Sequence, residues 1–243
     1  MHRLYGGAYM SFRKFYVAFA VIVCAFVVLA ASLFSRAKRS AAQEAAAALY
    51  PQIVIDAGHG GEDGGTVSDA GVHESKINLE IALRLNDFLR LLGADTQMIR
   101  TEDVSVYTDG QTIAQRKVSD IRQRVRIVNA IPNALLISIH QNHFTESKYR
   151  GAQVFFAKGS DPLAEQLQAI FSSQVDPQNH RQPKKAENIY LMEHINCPAV
   201  LIECGFLSNP SEALLLQEPH YQKKLTAAIA CGIMAYTEDK NEI

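Results

Sequence analysis

Four side chains able to hold a metal ion or carry a proton, His59, Glu74, His140 and Glu203, each stand where an apolar run of strand length gives way to a polar turn or to a helix start. That placement constrains the fold more than any compositional figure, because ligands in open α/β sheets gather in the crevice beyond the carboxyl ends of the strands. Strand-like runs at Gln52 to Asp56, Thr96 to Ile99, Ala134 to Ile139, Ala152 to Phe156 and Ala199 to Ile202 alternate with helical periodicity at Glu74 to Leu92, Thr112 to Ala130, Pro162 to Gln174 and Pro219 to Tyr236. The alternation predicts a single α/β domain with a central, mostly parallel or mixed sheet flanked by helices.

The local sequence around each group says how it is presented. Ile53-Val54-Ile55-Asp56-Ala57 breaks into Gly58-His59-Gly60-Gly61, and glycine permits both positive φ and close backbone approach, so the chain can turn sharply and aim one imidazole into a pocket. Glu74 precedes Ile77, Ile81, Leu85, Phe88 and Leu92 at helical spacing, which puts it at or near a helix N-terminus. There a carboxylate is either a capping charge or a ligand. His140 and Glu203 each end a buried-strand pattern.

Taken singly, Glu74 has an ordinary account as a helix-terminal acid, and His59 and His140 as hydrogen-bonded histidines. Glu203 is harder to dismiss, because four apolar residues precede it and a buried carboxylate is expensive unless paired, metal-bound or neutralised. Jointly, two histidines and one carboxylate are a ligand set for catalytic zinc with an open position, and the second carboxylate is then free to act as a base. The pattern reads as a zinc hydrolase.

The blocks Asp56 to Gly65, Gly71-Val72-His73-Glu74, Ser138-Ile139-His140-Gln141-Asn142 and Leu201 to Asn209 resemble, in order, the four signature blocks of the zinc-dependent N-acetylmuramoyl-L-alanine amidases of the third amidase family. The similarity runs from about Gln52 to about Tyr236. Within that family, Ile189-Tyr190-Leu191-Met192 and Glu203-Cys204-Gly205-Phe206 look most like the germination-specific amidases of spore-forming bacteria. The resemblance implies His59, Glu74 and His140 as ligands of Zn2+ and Glu203 as the catalytic acid/base. It implies cleavage of the amide joining N-acetylmuramic acid to L-alanine of the peptidoglycan stem peptide, in spore cortex maturation with muramic-lactam formation. One departure follows the third ligand, where many relatives have Ala-Asn-Ala and this chain has Gln141, Asn142, His143 and Phe144. Asn142, His143 and Arg126 are candidate substrate contacts, and Arg126 and Asn129 match an Arg and an Asn of the family pattern.

Phe15 to Phe34 is an uncharged, largely apolar run of twenty residues, long enough to span a ~30 Å hydrocarbon core. A secretory signal usually has a shorter apolar region, of ~7 to 15 residues, so an uncleaved anchor is favoured over a removed signal and secretion after cleavage is the alternative. Residues 1–14 read as a short tail, 15–34 as the transmembrane segment, 35–50 as an Ala-rich stem, helical or flexible, and 51–238 as the catalytic domain. Flanking charges do not orient the helix, since Arg3, Arg13 and Lys14 balance Arg36, Lys38 and Arg39. Peptidoglycan lies outside the membrane, so the resemblance implies a translocated catalytic domain, and it leaves any activating protein partner unspecified.

The basic cluster Arg116, Lys117, Arg122, Arg124 and Arg126 interleaves with Ile121, Val125 and Val128 and reads as a solvated helix face, while a net charge of -1 lacks the footprint of a nucleic-acid binder. The polar stretch Pro177 to Asn188 reads as a long loop near the site. Cys197 and Cys204 flank a strand that holds them beyond disulfide reach, and no Cys-x-x-Cys pair points to a structural zinc. Two rival classes remain: a cell-wall cysteine peptidase using Cys204 with His140 or His59 as base, and a non-catalytic peptidoglycan-binding module. The first is disfavoured because adjacent residues on a strand point to opposite faces, so Glu203 and Cys204 cannot both enter one site. The presence of all four groups argues against the second.

Overall fold

The computed structural model describes residues 6–239, and these divide into two units, the second beginning at Tyr50. The first unit is helix α1, Gly6–Leu49. Its stretch Lys14–Lys38 is long and apolar enough to cross a membrane, with a mean hydropathy of 2.9 and none of it buried. The helical backbone continues through the Ala-rich stem to Leu49.

The second unit is built on β1 (Gln52–Ala57), β2 (Thr96–Met98), β3 (Ala134–Asn142), β4 (Gln153–Phe156), β5 (Lys184–Lys185) and β6 (Ala199–Phe206). They form one six-stranded sheet in the order β2-β1-β3-β6-β4-β5. β2, β1, β3 and β6 run parallel, whereas β4 joins β6 antiparallel and carries β5 parallel to itself. The sheet is therefore mixed.

Side-chain alternation sorts the strands into two cores, because successive residues face opposite sides of a pleated sheet. Ile53, Ile55, Leu135, Ile137, Val200 and Ile202 pack on one side with α2 (Glu74–Leu91), α4 (Asp161–Ile170) and α7 (Pro219–Asp239). Val54, Leu136, Ala199 and Leu201 face the other, toward α3 (Ile113–Asn129) and α5 (Tyr190–His194). Each fully buried Ile or Leu contributes about 1.5–3 kcal/mol relative to exposure, so the central β1-β3-β6 strip is firmly held on both faces.

Helix boundaries follow the capping chemistry. Thr112 and Gln115 form a reciprocal capping box at the start of α3, and Asn209 caps α6 (Pro210–Leu215) by accepting from the Glu212 amide. The expected helix from Pro162 to Gln174 is instead α4 followed by a π-helical turn at Phe171–Val175. The short elements β5, α5 and α6 fall below the length at which periodicity separates helix or strand from loop.

Two expectations change. β3 continues to Asn142 and β6 to Phe206, so His140 and Glu203 lie inside their strands and are register partners in adjacent parallel strands. Both groups are half-buried at that point, and the register shifts between His140 and Asn142. The second concerns Arg124, which does not belong to a solvated face. It is 2% exposed and ion-paired to Asp56 and Asp120, an inward helix position filled by a charge that has matched acceptors.

Candidate active site

The loop after β1 is shaped by close approach. Gly58 faces the His140 imidazole so closely that an added Cβ would overlap the ring, and at Gly65, with φ +67°, a Cβ would come within 2.6 Å of Glu74 Oε2. His59 itself adopts φ 61°, in the left-handed region that few non-glycine residues occupy, with Asn, Asp and His found there more often than others. Such a conformation persists only where the surroundings over-determine it. Two buried arginines do so here. Arg124 donates to the carbonyls of Ala57 and His59 as well as to Asp56, and Arg100 donates to the carbonyls of Ala57, Gly58 and Ser75. Ser138 on β3 donates to the other Asp56 oxygen at 2.7 Å.

The side chains so presented converge. His59 Nε2 lies 3.2 Å from Glu74 Oε2, and His140 Nδ1 lies 2.9 Å from Glu74 Oε1. One donor atom from each of the three residues falls within 4.8 Å of the other two. His59 Nδ1 meets Asp63 Oδ2 at 2.8 Å, and Lys117 holds the other oxygen of Asp63 at 2.6 Å. This is the outer carboxylate that usually fixes the orientation of a ligating histidine and leaves its second nitrogen free.

Glu74 is 3% exposed and opens α2 with His73 as N-cap. Its Oε1 accepts from Asn78 Nδ2 and the Gln141 amide, both at 3.1 Å, and its Oε2 from the Thr66 amide at 3.0 Å. Burial alone would raise its carboxyl, but the hydrogen bonds with His140 and His59 outweigh it and hold Glu74 ionised. For His59, burial opposes protonation, yet the bonds to Asp63 and Glu74 prevail and raise the imidazole to about 9. An ionised, buried carboxylate that draws positive charge toward itself in this way forms a cluster whose electrostatics suit a cation.

Glu203 differs. Its Oε2 is buried without a hydrogen-bond partner among the described residues. Burial pushes its carboxyl up to about 7, His140 lowering it and Glu74 raising it by smaller amounts. A carboxyl with a free acceptor and an affinity for protons near neutrality is what a general base requires. The His-Glu-His donor set, its outer carboxylate and this orphaned oxygen together fit a metal cofactor with an activated water beside it.

The remaining candidates fall around this centre unevenly. Asn142 is half-buried at the end of β3, its carbonyl accepting from the Leu207 amide and its side chain from the His143 amide. His143 is exposed beyond the strand. Arg126 is exposed on the outer side of α3, donates to Gln123, and is not brought to the centre. Asn129 ties α3 to the α5 end through the His194 carbonyl and the Asn196 amide. Within the polar stretch 177–188, which includes β5, Arg181 donates to Gln153, the register partner of Glu203. Cys204 is fully buried in the core, and burial raises its thiol far above the range of a reactive thiolate, so it cannot serve as a nucleophile.

Sequence reasoning missed Asp63, Arg100 and Asn78. The spacing of Ile121, Arg124, Val125 and Val128 already puts Arg124 on the inward stripe of α3. For Arg100 no such signal exists, because its acceptors are backbone carbonyls.

The family model for N-acetylmuramoyl-L-alanine amidase matches residues 53–235. A germination-specific N-acetylmuramoyl-L-alanine amidase of Bacillus subtilis is 38% identical over 194 residues, covering 78% of this chain and 81% of that protein. Among solved structures, the CwlD amidase from Clostridioides difficile, in complex with the GerS lipoprotein, aligns with a TM-score of 0.75 at 37% identity over 78% of this chain and 99% of that one. An N-acetylmuramoyl-L-alanine amidase from Clostridium difficile 630 aligns with a TM-score of 0.67 at 29% identity, covering 78% of this chain and 98% of that one. The matched residues take in the central sheet and all of the converging side chains, and the chain belongs to the N-acetylmuramoyl-L-alanine amidase family.

Proposed function

We propose that this amidase is a zinc enzyme in which His59, Glu74 and His140 hold the ion and Glu203 is the acid/base. It cleaves the amide between N-acetylmuramic acid and L-alanine of the stem peptide in spore cortex. The observation that carries the reading is the convergence of the three donor atoms, together with a buried Glu203 oxygen that has no hydrogen-bond partner among the described residues. When bound, zinc supplies Lewis acidity to the scissile carbonyl and makes water acidic enough to lose a proton near pH 7. Glu203 takes the proton of the attacking water and later delivers it to the departing L-alanine amine. Asp63 holds the His59 ring in the tautomer that directs Nε2 inward. Asn78 and the Gln141 and Thr66 amides fix the Glu74 carboxylate, so little reorganisation accompanies the reaction.

Helix α1 suits a membrane anchor that keeps the catalytic unit, residues 51–238, on the outer side where peptidoglycan lies. The solved neighbour's complex with the GerS lipoprotein extends this reading to a protein partner carried at the same membrane. Asn142 and His143, which follow His140 in the chain, are the residues this reading assigns to substrate contact. The test is mass spectrometry of defined muropeptides after incubation with the full chain, with and without zinc, alongside chelated and thiol-alkylated samples. Zinc-dependent release of intact stem peptide that resists alkylation supports the amidase. Cleavage within the peptide, or activity abolished by alkylation alone, overturns it.

A further inference from the structure

Gln153 on β4 is the antiparallel register partner of Glu203, and Glu203 is the parallel partner of His140. His140, Glu203 and Gln153 therefore stand in one row across three strands, with strands spaced ~4.8 Å apart. Gln153 is buried and its amide is fixed at both ends, Nε2 donating to the Gln182 carbonyl at 2.9 Å and Oε1 accepting from Arg181 Nη1 at 3.1 Å. Arg181 thus terminates the row that begins at the metal ligands.

The guanidinium of Arg181 is itself held in place. Its Nε donates to the Arg150 carbonyl at 2.7 Å, and its central carbon lies 4.4 Å from the centre of the Phe206 ring. Of five donors on a guanidinium, these bonds use two, and Nη2 has no acceptor among the described residues. No acidic side chain among them pairs with it either. Asp176, a surface acid on this edge, takes Arg150 at 3.0 Å. The two Glu212 oxygens are occupied by the Gly151 and Phe206 amides. A half-buried guanidinium with a rigid fork and an open edge, whose nearby acid Glu212 is already engaged by backbone amides, can take a carboxylate in place of water.

We propose that Arg181 anchors a carboxylate of the substrate's stem peptide beside Glu203, so that the peptide, the leaving side of the amide, runs over β4 and the 177–188 stretch. This rests on the amidase reading above. The N-acetylated glycan on the other side of the scissile bond carries no charge, so the anion that fits Arg181 is on the peptide. Gln153 is the positioning residue that sets the fork relative to Glu203. The recognition is bidentate and planar, which a point-charged ammonium reproduces only in part.

The test uses the zinc-loaded full chain and matched pairs of N-acetylmuramoyl-L-alanyl peptides with their carboxylates free or amidated. Wild-type protein should favour the free acid in kcat/KM by about 10- to 100-fold, the size expected of one charge-assisted bidentate contact. Arg181→Gln should bring that ratio toward one, and Arg181→Lys should keep part of it. A substrate amidated only at the residue after L-alanine identifies which carboxylate is read. A purely structural Arg181 would lower turnover of both members of a pair alike and leave the ratio standing, which would overturn the proposal. So would a wild-type ratio near one. If the variants do not fold, product inhibition of the wild type by free L-alanyl peptide replaces them: stronger inhibition by the acid than by the amide supports the anchor, and equal inhibition overturns it. Failure of wild type to cleave either member would instead refute the amidase reading.

Discussion

Replacing Glu203 by Gln should make the metal-free protein more stable at alkaline pH and remove most of the turnover of the zinc-loaded enzyme. The side chain keeps its shape but loses its charge. In the folded chain burial raises this carboxyl from an ordinary 4.5 to about 7, so the native state holds the proton more tightly than the unfolded one. The stability tied to the protonated form is fully present below about pH 4.5 and is lost as pH rises through about 7. At 1.36 kcal/mol per unit, ionisation of Glu203 costs the wild type about 3 kcal/mol at pH 8 and less than about 1 kcal/mol at pH 5. Gln does not ionise, so any packing difference it introduces is the same at both pH values and cancels when they are compared. Urea unfolding of chelated wild type and Glu203→Gln at pH 5 and pH 8 should show the variant's relative stability rising by about 2 kcal/mol or more. With zinc restored, kcat should fall by ~10²- to 10⁴-fold. A stability difference that does not change with pH would refute the buried, unpartnered carboxylate, and wild-type turnover in the variant would refute its role as base.

Alanine at His59, Glu74 or His140 should each leave two protein ligands and reduce bound zinc well below one per chain by elemental analysis; full occupancy in all three would defeat the assignment. Chelation should abolish activity with far-ultraviolet circular dichroism unchanged, because neither apolar core includes the three donor residues, and global unfolding on chelation would mean a structural ion instead. Gly58→Ala should impair zinc retention by forcing the His140 ring aside, measured as a raised zinc dissociation constant in a competition assay; unaltered affinity would show that the loop can move away without consequence.

Much of this protein is written in short-range signals. Strand-length runs of Ile, Val and Leu and the helical spacing after Glu74 specify the sheet and its major helices, since burial of one face is read directly from period. The glycines around His59 announce a tight loop. The separation of Glu203 from Cys204 follows from alternation alone, and the buried thiol agrees with it. Other features depend on partners distant along the chain. That β3 and β6 extend past His140 and Glu203 is decided by their pairing with each other, which lines the two groups up across the ladder. Arg124, read as solvated from its charge, is buried because Asp56 and Asp120 are folded against it. Arg100 and Arg181 find backbone carbonyls whose positions no local pattern encodes. The sequence by itself determined the longer strands and helices and which chemistries are present. Only the tertiary structure decided which charges are matched, which oxygen is left without a donor and which arginine faces an open edge, because desolvation and hydrogen-bond satisfaction are properties of what surrounds a group in space.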